Sequence, residues 1–363
     1  MKASNNNNVL FASLAGLAIG SVMTAAMLRK YNNSSSTLKK DEKSKHNDDD
    51  DLYHNVSSAE GVEDGELPLE IREEQLSRNT LYFGEEGMKR LKGAHVIVVG
   101  LGGVGSHTAH MLARAGVGYL RFIDFDQVTV SSLNRHACAT LKDVGLPKVV
   151  AMERFLKQVC PDPNFLQMDA RVQMYTGDAS KDGPLLEGKK WDFVVDAIDD
   201  VPTKARLLAH CAKHKIRVIS CMGAGGKSDI TRLHISNLKS ASRDPLASKL
   251  RQTIRRLLPK NCEELSCLED VDQLATLYSS EKTVMKLAEL TQEQEEQGIH
   301  NFGAVDNMRI RVMPVLGTMP AVMGQSLAAY VLCELANKPF NVSIIHLTNN
   351  KILFGTYNLT LFV

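Results

Sequence analysis

The chain has 363 residues, 44% apolar and 23% charged, which places it among globular proteins with one large domain or two small ones. Its formal net charge is +1, so no global field gathers nucleic acid and any such site must be local. Its seven cysteines include no CxxC pair, which argues against a disulfide framework and for reduced thiols in a cytosolic setting.

Residues 1–28 are predicted to form an N-terminal transmembrane anchor. Met1 to Asn8 is polar; Val9 to Leu28 is uncharged and long enough, as a helix, to cross a ~30 Å hydrocarbon core. Arg29, Lys30, Lys39, Lys40, Lys43 and Lys45 follow it, against Lys2 alone before it, a bias that keeps the large C-terminal part in the cytosol. A cleaved secretory signal and a mitochondrial presequence are the rivals. The first would carry its heavier charge on the wrong side, and the second would need interleaved arginines. Residues 29–77 read as a disordered acidic linker, with Asn/Ser runs, Asp48-Asp49-Asp50-Asp51 and few aromatics. Arg78 to Leu91 forms a short helical lead-in to the first strand.

Ala94 to Val99 is a strand, Gly100-Leu101-Gly102-Gly103-Val104-Gly105 a tight turn, and a helix opens at Ser106. Glycine tolerates positive φ and lets backbone N–H groups approach a phosphate, at which the helix aims its positive end. A second strand, Tyr119 to Asp124, ends in Asp124-Phe125-Asp126. Asp124 stands where a carboxylate holds a nucleotide ribose. Asn134, Arg135 and Lys148 then follow. A dinucleotide site has no use for the last two cations, whereas a triphosphate tail does. Helical period from Lys148 to Cys160 puts Val149, Met152, Phe155, Leu156 and Val159 on one face. Strands are expected at Asn164 to Met168, Trp191 to Asp196 and Ile216 to Cys221, with a helix from Lys204 to His214. The fold class is therefore α/β, a doubly wound, mostly parallel, Rossmann-like sheet with its ligand at the carboxyl ends of the strands.

Asp196 and Asp199 leave such an end. They suit Mg2+ beside a phosphate, or else they cap the next helix. Gly223-Ala224-Gly225-Gly226 is a second turn at the same edge, either close to the acyl end of a substrate or a plain loop. Lys249, Arg251, Arg255 and Arg256 make a concentrated basic face on a helical segment; on charge alone, tRNA contact and a solvated helix stand equal. Asn261 to His300 reads as a polar, acidic insertion. Arg309 to Met313 is a strand, and Ala321 to Ala336 a helix apolar all round, hence core. Residues 341–363 are β-prone and otherwise unplaced.

The turn Gly100 to Gly105, Asp124-Phe125-Asp126, Leu133-Asn134-Arg135, Gly145-Leu146-Pro147-Lys148, Asp196 to Asp199, Gly223 to Gly226 and Asp244-Pro245-Leu246 together resemble the ubiquitin-activating-enzyme-like, ThiF/MoeB-type adenylating family. The last two motifs resemble its tRNA threonylcarbamoyladenosine dehydratase branch, fungal members in particular. The resemblance makes residues 78–340 an ATP-binding adenylating domain. It implies ATP-dependent cyclisation of threonylcarbamoyladenosine in the tRNA anticodon loop through an acyl-adenylate. The alternative is adenylation of the C-terminus of a ubiquitin-like or sulfur-carrier protein. On this reading Gly100, Gly102, Gly103, Gly105, Asp124, Asn134, Arg135 and Lys148 bind ATP. Arg135 and Lys148 are catalytic, Asp199 holds Mg2+, and Lys249, Arg251, Arg255 and Arg256 meet tRNA. The resemblance also implies a homodimer, with Arg78 reaching an ATP phosphate across it, and a mitochondrial outer-membrane location. Relatives with a structural zinc hold it on paired CxxC motifs, so no zinc is expected here. Neither Cys262 nor Cys267 has the local pattern of a thioester-forming cysteine.

Overall fold

A computed structural model describes residues 68–178, 182, 185–257, 271–283, 314–339, 341–348 and 351–358. A helical segment, α1 (Leu69–Gly93), broken by a kink at Gly84 (φ +75°), leads in, and β1 (His95–Val99), α2 (Gly103–Arg114) and β2 (Tyr119–Ile123) follow. Next come α3 (Lys148–Val159), β3 (Gln167–Arg171), β4 (Phe193–Asp196), α4 (Val201–Lys213) and β5 (Val218–Cys221). Then β6 (Leu233–Asn237), α5 (Pro245–Leu257), β7 (Ala275–Ser279) and α6 (Thr318–Leu335) complete the main body, and β8 (Asn341–Thr348) pairs with β9 (Lys351–Asn358) as a separate antiparallel hairpin.

The main sheet has seven strands in the order β3-β2-β1-β4-β5-β7-β6, parallel except for the β6–β7 pair. The order reverses beside β1, so the crevice between the β1 and β4 ends lies at a topological switch point, where open α/β sheets take their ligands. Both sheet faces are buried. Val96, Val98, Leu120, Phe122, Phe193 and Val195 face a core shared with α2 and α6, while Ile97, Val99, Ile123 and Val194 face α4 and α5. Buried on both sides, these strands carry apolar runs instead of alternation. Helix α6 is apolar all round because it is core, and Gly324 lets it touch α2: a Cβ there would stand 2.4 Å from the Val104 carbonyl oxygen.

Four sequence expectations change. Helix α1 begins at Leu69, inside the stretch read as linker, because Leu76 is buried beside Met88 and Leu91 and Arg72 pairs with Asp162 at 3.3 Å. A composition average across an acidic window hides one such anchoring residue. The predicted insertion at 261–300 contains β7, which is not peripheral but lies between β5 and β6 with Ala275 and Leu277 buried. Its short apolar run is flanked by charge on both sides, so the window reads as polar. The strand expected at Asn164 to Met168 lies at Gln167–Arg171, and α4 opens at Val201 because Asp200 caps it, accepting Thr203 N–H at 2.9 Å. Among the described residues no helix is long and apolar enough to cross a membrane. The anchor expected at residues 1–28, the strand at Arg309 to Met313, and Cys262 and Cys267 lie outside the described residues.

Candidate active site

The turn after β1 is shaped by contacts that exclude a side chain at two of its glycines. Gly100 has φ +88°, and a Cβ there would meet the Ala197 carbonyl oxygen at 2.7 Å; a Cβ on Gly105 would overlap the carbonyl oxygen of Gly100 itself. The glycine turn is thereby seated on Asp196-Ala197-Ile198-Asp199. Gly102 has no heavy atom within 4 Å of a built Cβ, whereas a Cβ on Gly103 would crowd the Arg135 stem, at 3.0 Å, and Pro320, at 3.1 Å. Gly102 thus borders open space at the N-terminus of α2, whose first N–H groups have no intrahelical carbonyl to meet, while Gly103 is buried under the Arg135 stem and Pro320.

Asp124, 8% exposed, binds the turn to the end of β2. Its Oδ2 accepts Leu101 N–H at 2.6 Å and its Oδ1 accepts Asp126 N–H at 2.7 Å. Burial pushes its carboxyl up, against the pull of Lys148 and the two N–H groups. Lys148 arrives by a bridge the sequence motifs do not reveal. Val128 N–H donates to Leu146 O, Gly145 N–H to Val128 O and Lys148 N–H to Asp126 O, at 2.8–2.9 Å, folding the second loop onto the first. The Lys148 ammonium then pairs with Asp126 Oδ2 at 2.6 Å. Asp126 is thus the partner that fixes this cation.

Arg135 reaches the turn at Gly103, where a built Cβ would stand 3.0 Å from its stem. Its Nη1 donates to Ser131 O at 2.9 Å and to Asn134 Oδ1 at 3.0 Å, and the Asn134 amide donates to Val315 O at 3.3 Å. Arg135 has no carboxylate partner among its described contacts, so its charge is available to a ligand. Asn134 orients it and ties it to the chain entering α6.

Asp196 and Asp199, three residues apart, part company. Asp196 is fully buried and pairs with Lys204 at 2.7 Å while accepting Ser220 Oγ–H at 2.7 Å and Ile198 N–H at 3.1 Å. Asp199 is exposed and, among the described residues, unpaired. Neither caps the next helix; Asp200 does. No group of three or more His, Cys, Asp or Glu side chains among the described residues could hold a metal ion. A Mg2+ ion that keeps its waters and borrows phosphate oxygens needs only one or two carboxylates, so Asp199 fits that use.

The second glycine turn is joined to a motif that sequence reading treats as separate. Lys227, immediately after Gly226, is 8% exposed and pairs with Asp244 at 3.2 Å. The other Asp244 oxygen accepts Ala247 N–H at 3.0 Å and starts α5. Gly226 N–H donates to Pro314 O at 2.8 Å, next to the Val315 carbonyl held by Asn134. On α5 itself, Arg251 and Arg255 converge on Asp272 at 3.3 and 3.6 Å, whereas Lys249 and Arg256 are exposed. Ala247, Leu250 and Ile254 form the buried face.

The chain that builds this arrangement, an open glycine turn, a buried aspartate at the end of β2 and two cations returned from later loops, matches the ThiF family over residues 76–359. The chain belongs to the ThiF family. It is 36% identical over 267 residues to tRNA threonylcarbamoyladenosine dehydratase 2 of Saccharomyces cerevisiae, covering 73% of this chain and 57% of that one. A dehydratase of the same name from Escherichia coli is 36% identical over 174 residues, covering 48% of this chain and 62% of that one. The chain therefore spans less than two thirds of these curated relatives. The crystal structure of the E. coli tRNA N6-threonylcarbamoyladenosine dehydratase in complex with ATP superposes with a TM-score of 0.59 at 26% identity, over 76% of this chain and 98% of that one. The same enzyme in complex with AMP also gives 0.59. As a member of the ThiF family, this chain is an α/β protein with a mostly parallel sheet, as expected from the sequence, and that sheet has seven strands.

Proposed function

We propose that this protein is an ATP-dependent tRNA threonylcarbamoyladenosine dehydratase. The observation that carries the reading is the placement of Arg135 against Gly103 and of Lys148 beside Asp124, at an open glycine turn, in a chain similar over most of its length to enzymes of that name. The threonyl carboxylate of the modified adenosine attacks the α-phosphorus of ATP, and pyrophosphate leaves. The carbamoyl group of the same nucleoside then closes on the activated carbon, and AMP departs with the carboxylate oxygen, so the nucleoside loses one water. The nucleophile of the second step is intramolecular, and proximity supplies much of the rate. The glycine turn and the α2 N-terminus hold phosphates, and Asp124 holds the ribose. Arg135 and Lys148 offset charge on the departing pyrophosphate, with Asn134 orienting it. Asp199 would hold Mg2+, which supplies further charge neutralisation at the phosphate oxygens.

No enzyme thiol is needed. All five described cysteines are buried or half-buried, and burial pushes each thiol up, Cys138 and Cys221 to about 12. None of these five is suited to take a carrier protein from its adenylate, the alternative reading; Cys262 and Cys267 lie outside the described residues.

Lys249 and Arg256 are the tRNA contacts on α5 that stand free of Asp272. Lys249→Ala with Arg256→Ala is expected to raise KM for tRNA at least about tenfold and to flatten the salt dependence by about two contacts, with ATP affinity unchanged. Arg251→Ala and Arg255→Ala shift KM less, because Asp272 already offsets those charges. Filter binding at several salt concentrations checks both. The homodimer, with exposed Arg78 reaching across it, and a mitochondrial outer-membrane anchor at Val9 to Leu28 belong to the same proposal.

The test is mass spectrometry of anticodon-loop nucleosides after incubating modified tRNA, ATP and the full chain. Loss of one water from the threonylcarbamoyl nucleoside is the expected result. An unchanged nucleoside under conditions where ATP binds contradicts the proposal.

A further inference from the structure

His136 directly follows Arg135, with Lys148 and the Leu101 backbone near its ring, and none of the roles above uses it. Its segment is pinned: His136 N–H donates to Ser132 O at 3.0 Å, and Ala137 N–H donates to Ser106 Oγ, in the first turn of α2, at 3.0 Å. The ring Nδ1 accepts Ala139 N–H at 3.1 Å. A ring nitrogen that accepts carries no proton, so the neutral ring bears its proton on Nε2. Burial, with Lys148, His107 and Arg135 close by, pushes the ring down to about 4, and it is neutral at physiological pH. Nε2–H is therefore a donor, and it is buried without a hydrogen bond of good geometry, in a residue 8% exposed. A buried donor left unpaired is unfavourable by about 1–3 kcal/mol, so its persistence calls for a reason. The neighbour that acts on the ring as an acceptor is the Leu101 backbone, which favours the added proton; only its carbonyl has that sign. With Nδ1 engaged elsewhere, the nitrogen turned toward Leu101 is Nε2.

We infer that His136 is a positioning residue for the phosphate cradle, its Nε2–H closing on the Leu101 carbonyl to set the Leu101–Gly102 peptide when a phosphate is bound. The N–H of Leu101 is already held by Asp124 Oδ2 at 2.6 Å. The described peptide bonds are all trans, so the Leu101 carbonyl and the Gly102 N–H point in opposite directions. Drawing that carbonyl to the ring turns the Gly102 N–H outward, at a residue whose surroundings are open. Asp124 and His136 thus grip the two sides of Leu101, and the cradle donor is aimed by residues that need not touch ATP.

The inference rests on the proposed nucleotide site, and calorimetry separates the two. ATP and adenosine are titrated into wild type, His136→Phe and His136→Gln. The phenylalanine variant is expected to lose about tenfold in ATP affinity with adenosine unchanged, because the cradle meets only phosphates. Glutamine, whose amide replaces the Nε2 donor, restores ATP binding to within about threefold. Equal ATP affinity in wild type and His136→Phe overturns the inference, as does an equal loss for ATP and adenosine. A wild type that binds no ATP overturns the proposed function and this inference together. If the phenylalanine variant does not fold, hydrogen exchange on the wild type decides: ATP, but not adenosine, is expected to slow exchange in residues 100–105, and equal or no protection overturns the inference.

Discussion

Arg135→Ala is expected to lower pyrophosphate release about 100- to 1000-fold, the range seen when one preorganised donor to developing charge is removed. The guanidinium is held by neutral groups only, Ser131 O and Asn134 Oδ1, so its removal leaves no buried charge without a partner. Thermal stability should fall little, and the loss should appear in kcat more than in KM for tRNA. Arg135→Lys is not a rescue, because an ammonium cannot span Ser131 O, Asn134 Oδ1 and a phosphate as the planar fork does. A variant with near wild-type release would remove Arg135 from the chemistry.

Lys204→Ala should carry the largest stability loss in the molecule, about 3–5 kcal/mol, although Lys204 touches no ligand. Its ammonium and the Asp196 carboxylate are both 0% exposed and 2.7 Å apart, and removing the cation strands a carboxylate in the core with only Ser220 Oγ–H and Ile198 N–H as donors. The Asp196 loop seats the glycine turn through Ala197, so nucleotide affinity should fall with stability. Lys204→Met combined with Asp196→Leu should recover most of the stability, since replacing both charges removes the desolvation penalty. Equilibrium denaturation of wild type, Lys204→Met, Asp196→Leu and the double variant measures the coupling. A Lys204→Ala midpoint near that of wild type would show that water reaches Asp196.

The features legible in the sequence are local ones. A strand, a glycine turn and a helix in one short stretch announce the phosphate cradle without tertiary information, and apolar runs such as Phe193 to Val195 announce buried parallel strands. Arg135 and Lys148 stand out as two cations beyond that turn, suited to a triphosphate tail. What remained hidden depends on distant pairing. Asp126 reads as part of a strand-end motif, and only the backbone bridge from residues 126–128 to residues 145–148 makes it the partner of Lys148. Lys227 and Asp244 belong to two separate motifs until their ion pair joins them. His136 had one faint signal, a histidine next to a site cation and followed by small residues, whose N–H groups turn back onto its ring. Strand β7 was lost because its acidic flanks dominate the local composition, while its burial is decided by β5 and β6.

Exchange of labelled pyrophosphate into ATP, followed with the full chain and threonylcarbamoyl-modified tRNA, tests acyl-adenylate formation most directly. Label should enter ATP only when modified tRNA is present, and Arg135→Ala should slow its entry about 100- to 1000-fold. Label that never enters ATP although both ATP and the tRNA are bound would contradict activation of the carboxylate as an adenylate.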